Sequence, residues 1–269
     1  MSVRIDQKKT IGVIGGMGLL GLDLVRFLQK NYKVDGITRE NYDTFRGKHY
    51  DVVINANGNS KRFWANEHPL EDFEKSTFSV YKSLFDFSFG MYVFISSPDV
   101  YEDYSNPGST KEDRIIDPQK LSPYGFHKHL GELIVRRCKS NYLILRSAAI
   151  LGTGLKKGPI FDILCGKKPF VGLDSQIQLV TTEEIANIVQ YLLGRLSKNE
   201  IYNVGGRGTF LLKNMTKYIG SIVPPDSGVE KQIYEMNVEK LGGIYPLKTS
   251  EEYLQEFFLS SGKLLSLKS

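Results

Sequence analysis

The chain has 269 residues, 41% of them hydrophobic and 24% charged, which is enough apolar surface for a folded core. Its net charge of +5 is small and spread along the chain, so we do not expect it to bind nucleic acid. No apolar run approaches the ~18 residues of a membrane helix, and the N-terminus lacks the apolar stretch of a secretory signal. Two cysteines are too few for a disulfide framework or a zinc site. We expect a cytoplasmic globular protein without a metal.

Short apolar runs alternate with longer amphipathic stretches over the first two-thirds of the chain. The apolar runs predict strands at residues 11–14, 34–38, 51–55, 91–96, 142–146 and 201–204. The amphipathic stretches predict helices at residues 18–30, 69–89, 123–138, 182–196 and 250–258. Alternation of this kind is typical of an α/β fold with a doubly wound parallel sheet.

Gly15, Gly18 and Gly21 stand three residues apart between the first predicted strand and the first predicted helix. In such a turn the first glycine permits a tight bend, the second lets the backbone approach a pyrophosphate, and the third lets the helix pack closely on the strand. The N-terminus of the helix adds a partial positive charge that favours phosphates. A tight turn without a ligand is the alternative, but the strand–turn–helix context favours a dinucleotide. The residues predicted to hold it here are Gly15, Met17, Gly18, Leu19 and Gly21.

The end of the second predicted strand distinguishes between two dinucleotides. An acidic residue there binds the ribose 2′-hydroxyl of NAD, whereas a cation accepts the 2′-phosphate of NADP. This chain has Arg39 at that place, and Asp35 lies earlier, inside the strand. We therefore predict NADP, bound through Arg39, with NAD as the alternative. Arg39 could equally be a solvated surface charge.

Tyr124 and Lys128 lie four residues apart near the start of the helix predicted at 123–138, so they share one helical face. An ammonium beside the tyrosine favours the phenolate and moves the phenol pKa from ~10 towards neutrality. Such a phenol can exchange a proton with a substrate hydroxyl while a hydride moves to or from a nicotinamide. Ser96 and Ser97 end the preceding strand at the carboxyl edge of the sheet, where a hydroxyl can bind the same substrate oxygen.

Together these stretches resemble an extended short-chain dehydrogenase/reductase of the NAD(P)-dependent sugar-nucleotide epimerase/dehydratase group. The matching stretches lie between residues 10 and 206 and read GGMGLLG, DVVINANG, VFISSPDVY, SPYGFHKHLGE, LILRSAAILG and YNVGG. The resemblance implies a Rossmann-type NAD(P)-binding domain at residues 1–151, completed by about 181–204. It also implies a small C-terminal substrate-binding lobe formed by residues 152–180 and 205–269.

By the same resemblance, Ser97 is the catalytic serine, Tyr124 the acid/base and Lys128 the anchor of the cofactor ribose. The loop that runs beside the cofactor in the family is matched by Asn55, Ala56 and Asn57. The family also pairs its two long helices, here predicted at 69–89 and 123–138, across a four-helix dimer interface. The resemblance therefore allows for a homodimer.

Several positions depart from the pattern of the resembling family. Pro98 replaces the acid of the 4,6-dehydratases, which disfavours dehydration. Ser76 replaces an asparagine that many epimerases carry after a Pro-Leu-Glu, and Ala149 replaces an asparagine that contacts the substrate phosphate. Only twelve residues, 39–50, separate the second and third strands. This short connection resembles the dTDP-4-dehydrorhamnose reductase branch, which reduces a ketone with NADPH.

We therefore expect an NAD(P)-dependent enzyme that transfers a hydride at a hydroxyl or ketone carbon of a sugar, with a sugar nucleotide as its substrate. The resemblance does not separate reduction from epimerisation. The replacement at Ala149 leaves open a reductase of a small ketone that carries no nucleotide. A dinucleotide sensor without catalysis is the alternative from another class, and the intact set of Ser97, Tyr124 and Lys128 argues against it.

Overall fold

The computed structural model describes residues 8–59, 62–195 and 198–261. Its strands are β1 (Thr10–Ile14), β2 (Lys33–Ile37), β3 (His49–Asn55), β4 (Ser88–Ser96), β5 (Tyr142–Ser147), β6 (Ala149–Leu151), β7 (Gln176–Ile177), β8 (Leu179–Thr181), β9 (Glu200–Val204), β10 (Phe210–Leu211) and β11 (Ile233–Tyr234). Its helices are α1 (Leu19–Leu28), α2 (Tyr42–Phe45), α3 (Arg62–Glu67), α4 (Pro69–Phe73), α5 (Ser79–Asp86), α6 (Pro123–Cys138), α7 (Pro159–Leu164), α8 (Thr182–Gly194), α9 (Thr216–Ile219), α10 (Glu239–Gly242) and α11 (Ser250–Ser261). The helix predicted to reach residue 196 continues to Gly194, and residue 196 lies outside the described residues.

The central sheet has six strands in the order β2-β1-β3-β4-β5-β9, which are the six strands predicted from the sequence. β1 pairs in parallel with both β2 and β3, and β3 pairs in parallel with β4. The predicted α/β fold with a doubly wound parallel sheet is confirmed. The chain moves outward from β1 on both sides, to β2 on one and to β3 on the other. Ligands bind at such a point, beyond the carboxyl ends of the strands.

The prediction of a helix over 69–89 is wrong for its last residues, which belong to β4. α4 and α5 are joined by a π-helical turn, Glu74–Phe78, and α5 ends at Asp86. The following residues extend β4, with Ser88 opposite His49 and Phe89 opposite Tyr50 of β3. The sequence FDFSF over 85–89 fits a helix or a strand, and the unpaired backbone groups of β3 decide for the strand.

The chain divides into two compact units, and the first contains Met1–Ser96, Ser122–Leu145 and Ala186–Ile201. Its largest elements are the parallel strands and the helices that contact them. α1, for example, contacts β1 and β2, and the predicted apolar face of this helix is buried. The core of the unit is a cluster of aliphatic and aromatic side chains, namely Ile14, Ile37, Tyr50, Val53, Val80, Leu84, Phe87, Tyr92, Phe94, Val135 and Ile144.

The second unit contains Ser97–Leu121, Arg146–Ile185 and Tyr202–Ser269. It includes two small sheets, one with the order β10-β7-β11 and one in which β6 pairs in parallel with β8. Its core is a second cluster of apolar side chains, namely Leu151, Ile160, Ile163, Val171, Ile177, Leu179, Phe210, Leu212, Met215, Leu254, Phe257 and Phe258. In the part of the chain that the structure describes, no helix has both the length and the apolar character needed to cross a bilayer.

Gly21 offers a test of how tightly α1 packs on the turn that precedes it. A Cβ at Gly21 would lie 2.0 Å from the carbonyl oxygen of Gly15, which belongs to the backbone and cannot move aside cheaply. We expect Gly21→Ala to reduce the free energy of unfolding by about 3 kcal/mol, because overpacking at a backbone contact forces the helix to shift. Thermal unfolding followed by circular dichroism measures the change.

Gly194→Ala is the matched control, because a Cβ there would meet no atom of the described residues within 4 Å beyond its own helix backbone and chain neighbours, and Gly194 ends a helix without a left-handed φ. The control variant should be as stable as the parent or more stable by up to about 1 kcal/mol. Equal melting temperatures for the two variants would contradict the close approach.

Candidate active site

The turn between β1 and α1 is closed against the end of β2. Gly15 has a φ of +85°, which residues with a side chain rarely adopt, and its N–H donates to the carbonyl oxygen of Ile37 at 2.9 Å. The N–H of Gly16 donates to the same oxygen at 3.0 Å. A Cβ at Gly15 would lie 3.0 Å from the carbonyl oxygen of Ala56, just beyond β3. The turn therefore brings the carboxyl ends of three neighbouring strands together.

The N-terminus of α1 begins in this turn. Gly18 is the N-cap and contributes no side-chain acceptor, while its own N–H donates to the carbonyl oxygen of Gly15 at 2.8 Å. Leu19 is the first helical residue, and Met17, just before the cap, is 73% exposed. The first N–H groups of a helix lack partners within the helix and can donate to phosphate oxygens. The N-terminus of α1 thus supplies backbone donors that can bind a pyrophosphate.

A groove of about 680 Å³ lies at this edge of the sheet, and all of its lining residues belong to the first unit. Among the predicted cofactor residues, Gly15, Arg39 and Asn57 line it. Among the described residues, its charged lining comprises four cations and one carboxylate: Arg39, Arg46, Lys75, Lys82 and Asp43. A concave surface with this excess of positive charge favours a polyanion such as a dinucleotide phosphate.

The carboxylate of Asp35 is engaged by its neighbours in the first unit. Its Oδ2 accepts hydrogen bonds from Lys48 Nζ at 2.5 Å and from Tyr50 Oη at 2.9 Å. Burial, and next the hydrogen bond to Asp35, raise the pKa of Tyr50 above its ordinary value, so the phenol remains a donor. Asp35 is therefore satisfied within the fold, and Arg39 is the charged residue that the end of β2 presents to the groove.

Three cations of the groove lie outside the motifs of the sequence. Arg46 Nε is 3.6 Å from a carboxylate oxygen of Asp86, and Lys82 forms an ion pair with the same carboxylate. Lys75 Nζ lies 4.0 Å from the ring centre of Trp64, which also lines the groove. Sequence reasoning missed these cations because they follow α2 or lie on the helical stretch 69–89, where surface lysines and arginines are common.

The loop after β3 takes its shape from Asn55, whose side chain is fully buried. Asn55 Nδ2 donates to Tyr92 Oη at 2.8 Å, and Asn55 Oδ1 accepts from the N–H of Asn57 at 3.0 Å. The N–H of Ala56 donates to the carbonyl oxygen of Ile14 at 3.0 Å. The structure thus places the side chain of Asn55 in the core, whereas Asn57 lines the groove.

Tyr124 and Lys128 lie one turn apart on α6, and both side chains are buried. Ser122 caps the N-terminus of the helix, because its Oγ accepts from the N–H of Gly125 at 3.2 Å. Lys128 Nζ donates to the carbonyl oxygen of Ile95 at 3.1 Å, next to the last residue of β4. A buried ammonium needs acceptors of this kind, since an unpaired charge is costly to bury. The ammonium is therefore held at the carboxyl end of a central strand.

Ser96 and Ser97 differ in their partners and in the unit to which they belong. Ser96, in the first unit, donates to Oε1 of the fully buried Glu132 at 2.6 Å, so its hydroxyl is part of the core. Ser97, in the second unit, donates to Asp99 Oδ2 at 2.6 Å and accepts from the N–H of Asp99 at 3.3 Å. Of the two strand-end hydroxyls, the structure leaves Ser97 with a small, local set of partners.

The second unit contains a buried polar cluster that sequence reasoning missed. Arg146 is among its largest fully buried side chains, and its guanidinium donates to Tyr101 Oη at 2.7 Å. Tyr101 Oη donates in turn to Asn203 Oδ1 at 2.8 Å, and burial raises the pKa of Tyr101 to about 12. The N–H of Asn203 donates to Glu112 Oε1 at 2.9 Å, and burial raises the pKa of Glu112. An arginine inside the apolar run YLILRS was the sequence signal for this cluster.

The residues of the first unit fit a nicotinamide dinucleotide. The glycine turn would hold the pyrophosphate, the basic lining of the groove would hold the adenosine end, and Lys128 would hold a ribose. When bound, such a coenzyme supplies or accepts a hydride. The close backbone contacts at Gly15 and Gly21 are those that this use of the turn requires.

The chain belongs to the NAD dependent epimerase/dehydratase family, whose sequence pattern matches residues 11–205. This confirms the predicted membership of the extended short-chain dehydrogenase/reductase group, and with it an NAD(P)-dependent enzyme. A search of proteins with curated functions found no match.

Several solved structures are similar to this chain in fold. The dTDP-4-dehydrorhamnose reductase of Bacillus anthracis str. Ames, in complex with NADP, superposes with a TM-score of 0.78 at 18% identity, over 94% of this chain and 99% of that chain. The UDP-N-acetylglucosamine 4-epimerase of Methanobrevibacter ruminantium M1, in complex with UDP-N-acetylmuramic acid, has a TM-score of 0.74 at 17% identity, over 97% and 99%. The Bordetella bronchiseptica enzyme WbmG, in complex with NAD, has a TM-score of 0.71 at 16% identity, over 97% of each chain.

Proposed function

We propose that the protein is an NADPH-dependent reductase that acts on a ketone group of a nucleotide-linked sugar. The observation that carries the proposal is the pair of Tyr124 and Lys128, buried one turn apart on α6 with the ammonium at the end of β4. The groove of the same unit presents Arg39, a cation suited to a 2′-phosphate. Epimerisation of the same class of substrate uses the same residues, and it remains the nearest alternative.

Different predicted residues would contact different parts of the coenzyme. Arg39 binds the 2′-phosphate. The turn around the pyrophosphate is formed by Gly15, Met17, Gly18, Leu19 and Gly21. Ala56 and Asn57 border the bound molecule through the loop after β3, and Asn55 holds that loop in shape from the core. Lys128 binds the ribose of the nicotinamide half.

In the proposed reaction Tyr124 gives its phenolic proton to the carbonyl oxygen of the substrate while the carbonyl carbon receives a hydride. The carbonyl becomes an alcohol, and the tyrosine regains a proton from solvent. Lys128 stabilises the intervening phenolate by its charge. We assign to Ser97 a hydrogen bond that orients the substrate oxygen. The Ser97 hydroxyl would form it by giving up the hydrogen bond that it donates to Asp99.

We assign the substrate itself to the second unit. The similar enzymes named above include one in complex with a UDP-sugar, which supports a sugar nucleotide as the substrate class. Ala149 is exposed at the start of β6, where the resembling family has a phosphate-binding asparagine. That replacement favours a second candidate function, the reduction of a small ketone without a nucleotide.

We also propose that the protein forms a homodimer through the helices of the first unit. Large apolar side chains are exposed on α4, the π-helical turn, α5 and α6: Leu70, Phe73, Phe78, Tyr81, Phe85 and Leu133. A monomer rarely exposes so many aromatic side chains on neighbouring helices. A second copy would cover them by the four-helix pairing of the resembling family.

Tyr124→Phe tests the catalytic assignment. We expect the dissociation constant for NADPH to change less than about twofold, while turnover falls at least about 100-fold because the proton donor is lost. Turnover is measured as loss of nicotinamide absorbance with a panel of keto-sugar nucleotides and small ketones. Tyr32→Phe, on a half-buried tyrosine after α1, is the control and should retain full turnover.

An active Tyr124→Phe variant would refute the assignment. Oxidation of NADPH by small ketones alone would favour the second candidate function. If no member of the panel oxidises NADPH with the parent protein, the dinucleotide sensor is the better interpretation.

Arg39→Ala tests the choice of coenzyme. Loss of a charge-assisted contact to the 2′-phosphate should weaken NADPH binding about 30-fold and change NADH binding less than about twofold. Calorimetric titration measures both dissociation constants, with Arg136→Ala on the exposed side of α6 as the control. Equal losses for the two coenzymes would contradict NADP recognition by Arg39.

Phe85→Asp tests the dimer. Phe85 is 65% exposed on α5, so a carboxylate there should leave the subunit folded and prevent association of the apolar face. Light scattering after size-exclusion chromatography should show a dimer for the parent and a monomer for the variant. Ile115→Asp, at a residue of the second unit that is 92% exposed, is the control and should remain dimeric.

A further inference from the structure

A buried acid–histidine pair has no part in the chemistry proposed above. Its histidine is the neighbour of Lys128 in sequence. Asp72 in α4 is fully buried, and its Oδ2 is 2.6 Å from Nδ1 of His127, the residue that precedes Lys128 on α6. A carboxylate and an imidazole are costly to bury unless each is hydrogen-bonded. Here the hydrogen bond between the two side chains satisfies both of them and fixes their relative position.

The other carboxylate oxygen of Asp72 leads towards the groove. Ser76 Oγ donates to Asp72 Oδ1 at 3.2 Å, and the same Oγ accepts from the N–H of Asn59 at 3.3 Å. Asn59 lines the groove, next to Gly58 and Asn57. Ser76 lies in the π-helical turn and is buried, and such turns often occur where a helix serves a site. Asp72 is thus linked by two hydrogen bonds to the loop that borders the groove.

His127 is held from both sides by the same stretch of chain. Its ring is bound by Asp72, and its carbonyl oxygen accepts from Thr77 Oγ1 at 3.0 Å. Lys128 follows directly, and its ammonium approaches the groove loop: a Cβ at Gly58 would lie 3.3 Å from Lys128 Nζ. Residues 72–77 therefore fix the position of α6 at His127 and, through Ser76, the position of the loop beside Lys128.

We propose that Asp72 is a positioning residue that joins α6 to the loop at Asn59 and thereby holds the Lys128 ammonium in register with the nicotinamide half of the coenzyme. This inference rests on the proposed role of Lys128 as the ribose anchor. Asp72 acts through His127 and Ser76 and contacts neither coenzyme nor substrate itself. Because Lys128 Nζ lies beside the loop that this link holds, we expect the larger effect on the part of the coenzyme that Lys128 binds.

The experiment compares two ligands by calorimetric titration of the full-length protein. NADPH reaches Lys128, whereas 2′,5′-ADP carries only the adenosine half with its 2′-phosphate and ends before the nicotinamide ribose. We expect Asp72→Asn to weaken NADPH about tenfold, because a hydrogen bond to a charged group is lost, and to leave 2′,5′-ADP within about twofold of the parent. A general loss of fold would weaken both ligands alike.

Glu71→Gln is the matched control, because Glu71 is the neighbouring acid on α4 and also faces a histidine, with its Oε1 3.8 Å from Nδ1 of the exposed His68. It should leave both dissociation constants unchanged. Lys128→Met is measured in parallel and should show the same pattern as Asp72→Asn with a larger loss for NADPH. Ser76→Ala removes the hydrogen bonds of Ser76 to Asp72 and Asn59, keeps the pair of Asp72 and His127, and should weaken NADPH severalfold.

The outcomes separate the inference from the function on which it rests. If Lys128→Met binds NADPH as the parent does, the ribose anchor is wrong and the inference fails with it. If Lys128→Met loses NADPH affinity and Asp72→Asn does not, the inference is overturned while the proposed function stands. Equal weakening of NADPH and 2′,5′-ADP by Asp72→Asn also overturns it. If that variant cannot be obtained folded, Ser76→Ala decides the question by the same two ligands.

Discussion

The first unit depends on a backbone contact that only glycine allows. At the turn after β1 the carbonyl oxygen of Gly15 lies where the Cβ of any residue other than glycine at position 21 would have to be. Because Gly21 has no Cβ, the oxygen fits there and α1 can begin directly against the sheet, with its N-terminus pointing out of the turn. The same turn holds the end of β2 through Ile37 and contacts the segment after β3 at Ala56. The groove lies at this edge of the sheet, beside the turn.

Buried polar groups give the rest of the molecule its specific arrangement. In the first unit the ammonium of Lys128 and the carboxylate of Asp72 are satisfied within the fold by Ile95 and by His127. In the second unit the guanidinium of Arg146 is bound through Tyr101. Apolar side chains can pack in many ways, but hydrogen bonds to a buried charge are satisfied in few. Such groups therefore cost stability and define the geometry that chemistry requires.

Much of the site could be predicted from residues that are close in sequence. Spacing alone related Gly15 to Gly21 and Tyr124 to Lys128, because a turn and one helical repeat fix those distances locally. The burial of Asn55 and the bond from Ser96 to Glu132 could not be foreseen, since each depends on a partner more than thirty residues away. The extension of β4 to Ser88 had the same origin, because it needed β3 as a template.

Local sequence was enough to predict the class of fold, the glycine turn, the place of the tyrosine and lysine on one helix, and the cation at the end of β2. These are properties of short segments, whose conformation follows from steric limits and from the periods of strand and helix. The folded chain was needed to learn which cations line the groove, which serine belongs to the core, and that Asp72 lies against His127. Those facts depend on contacts between distant segments, and the free energy of such contacts is set by burial, which no local pattern contains.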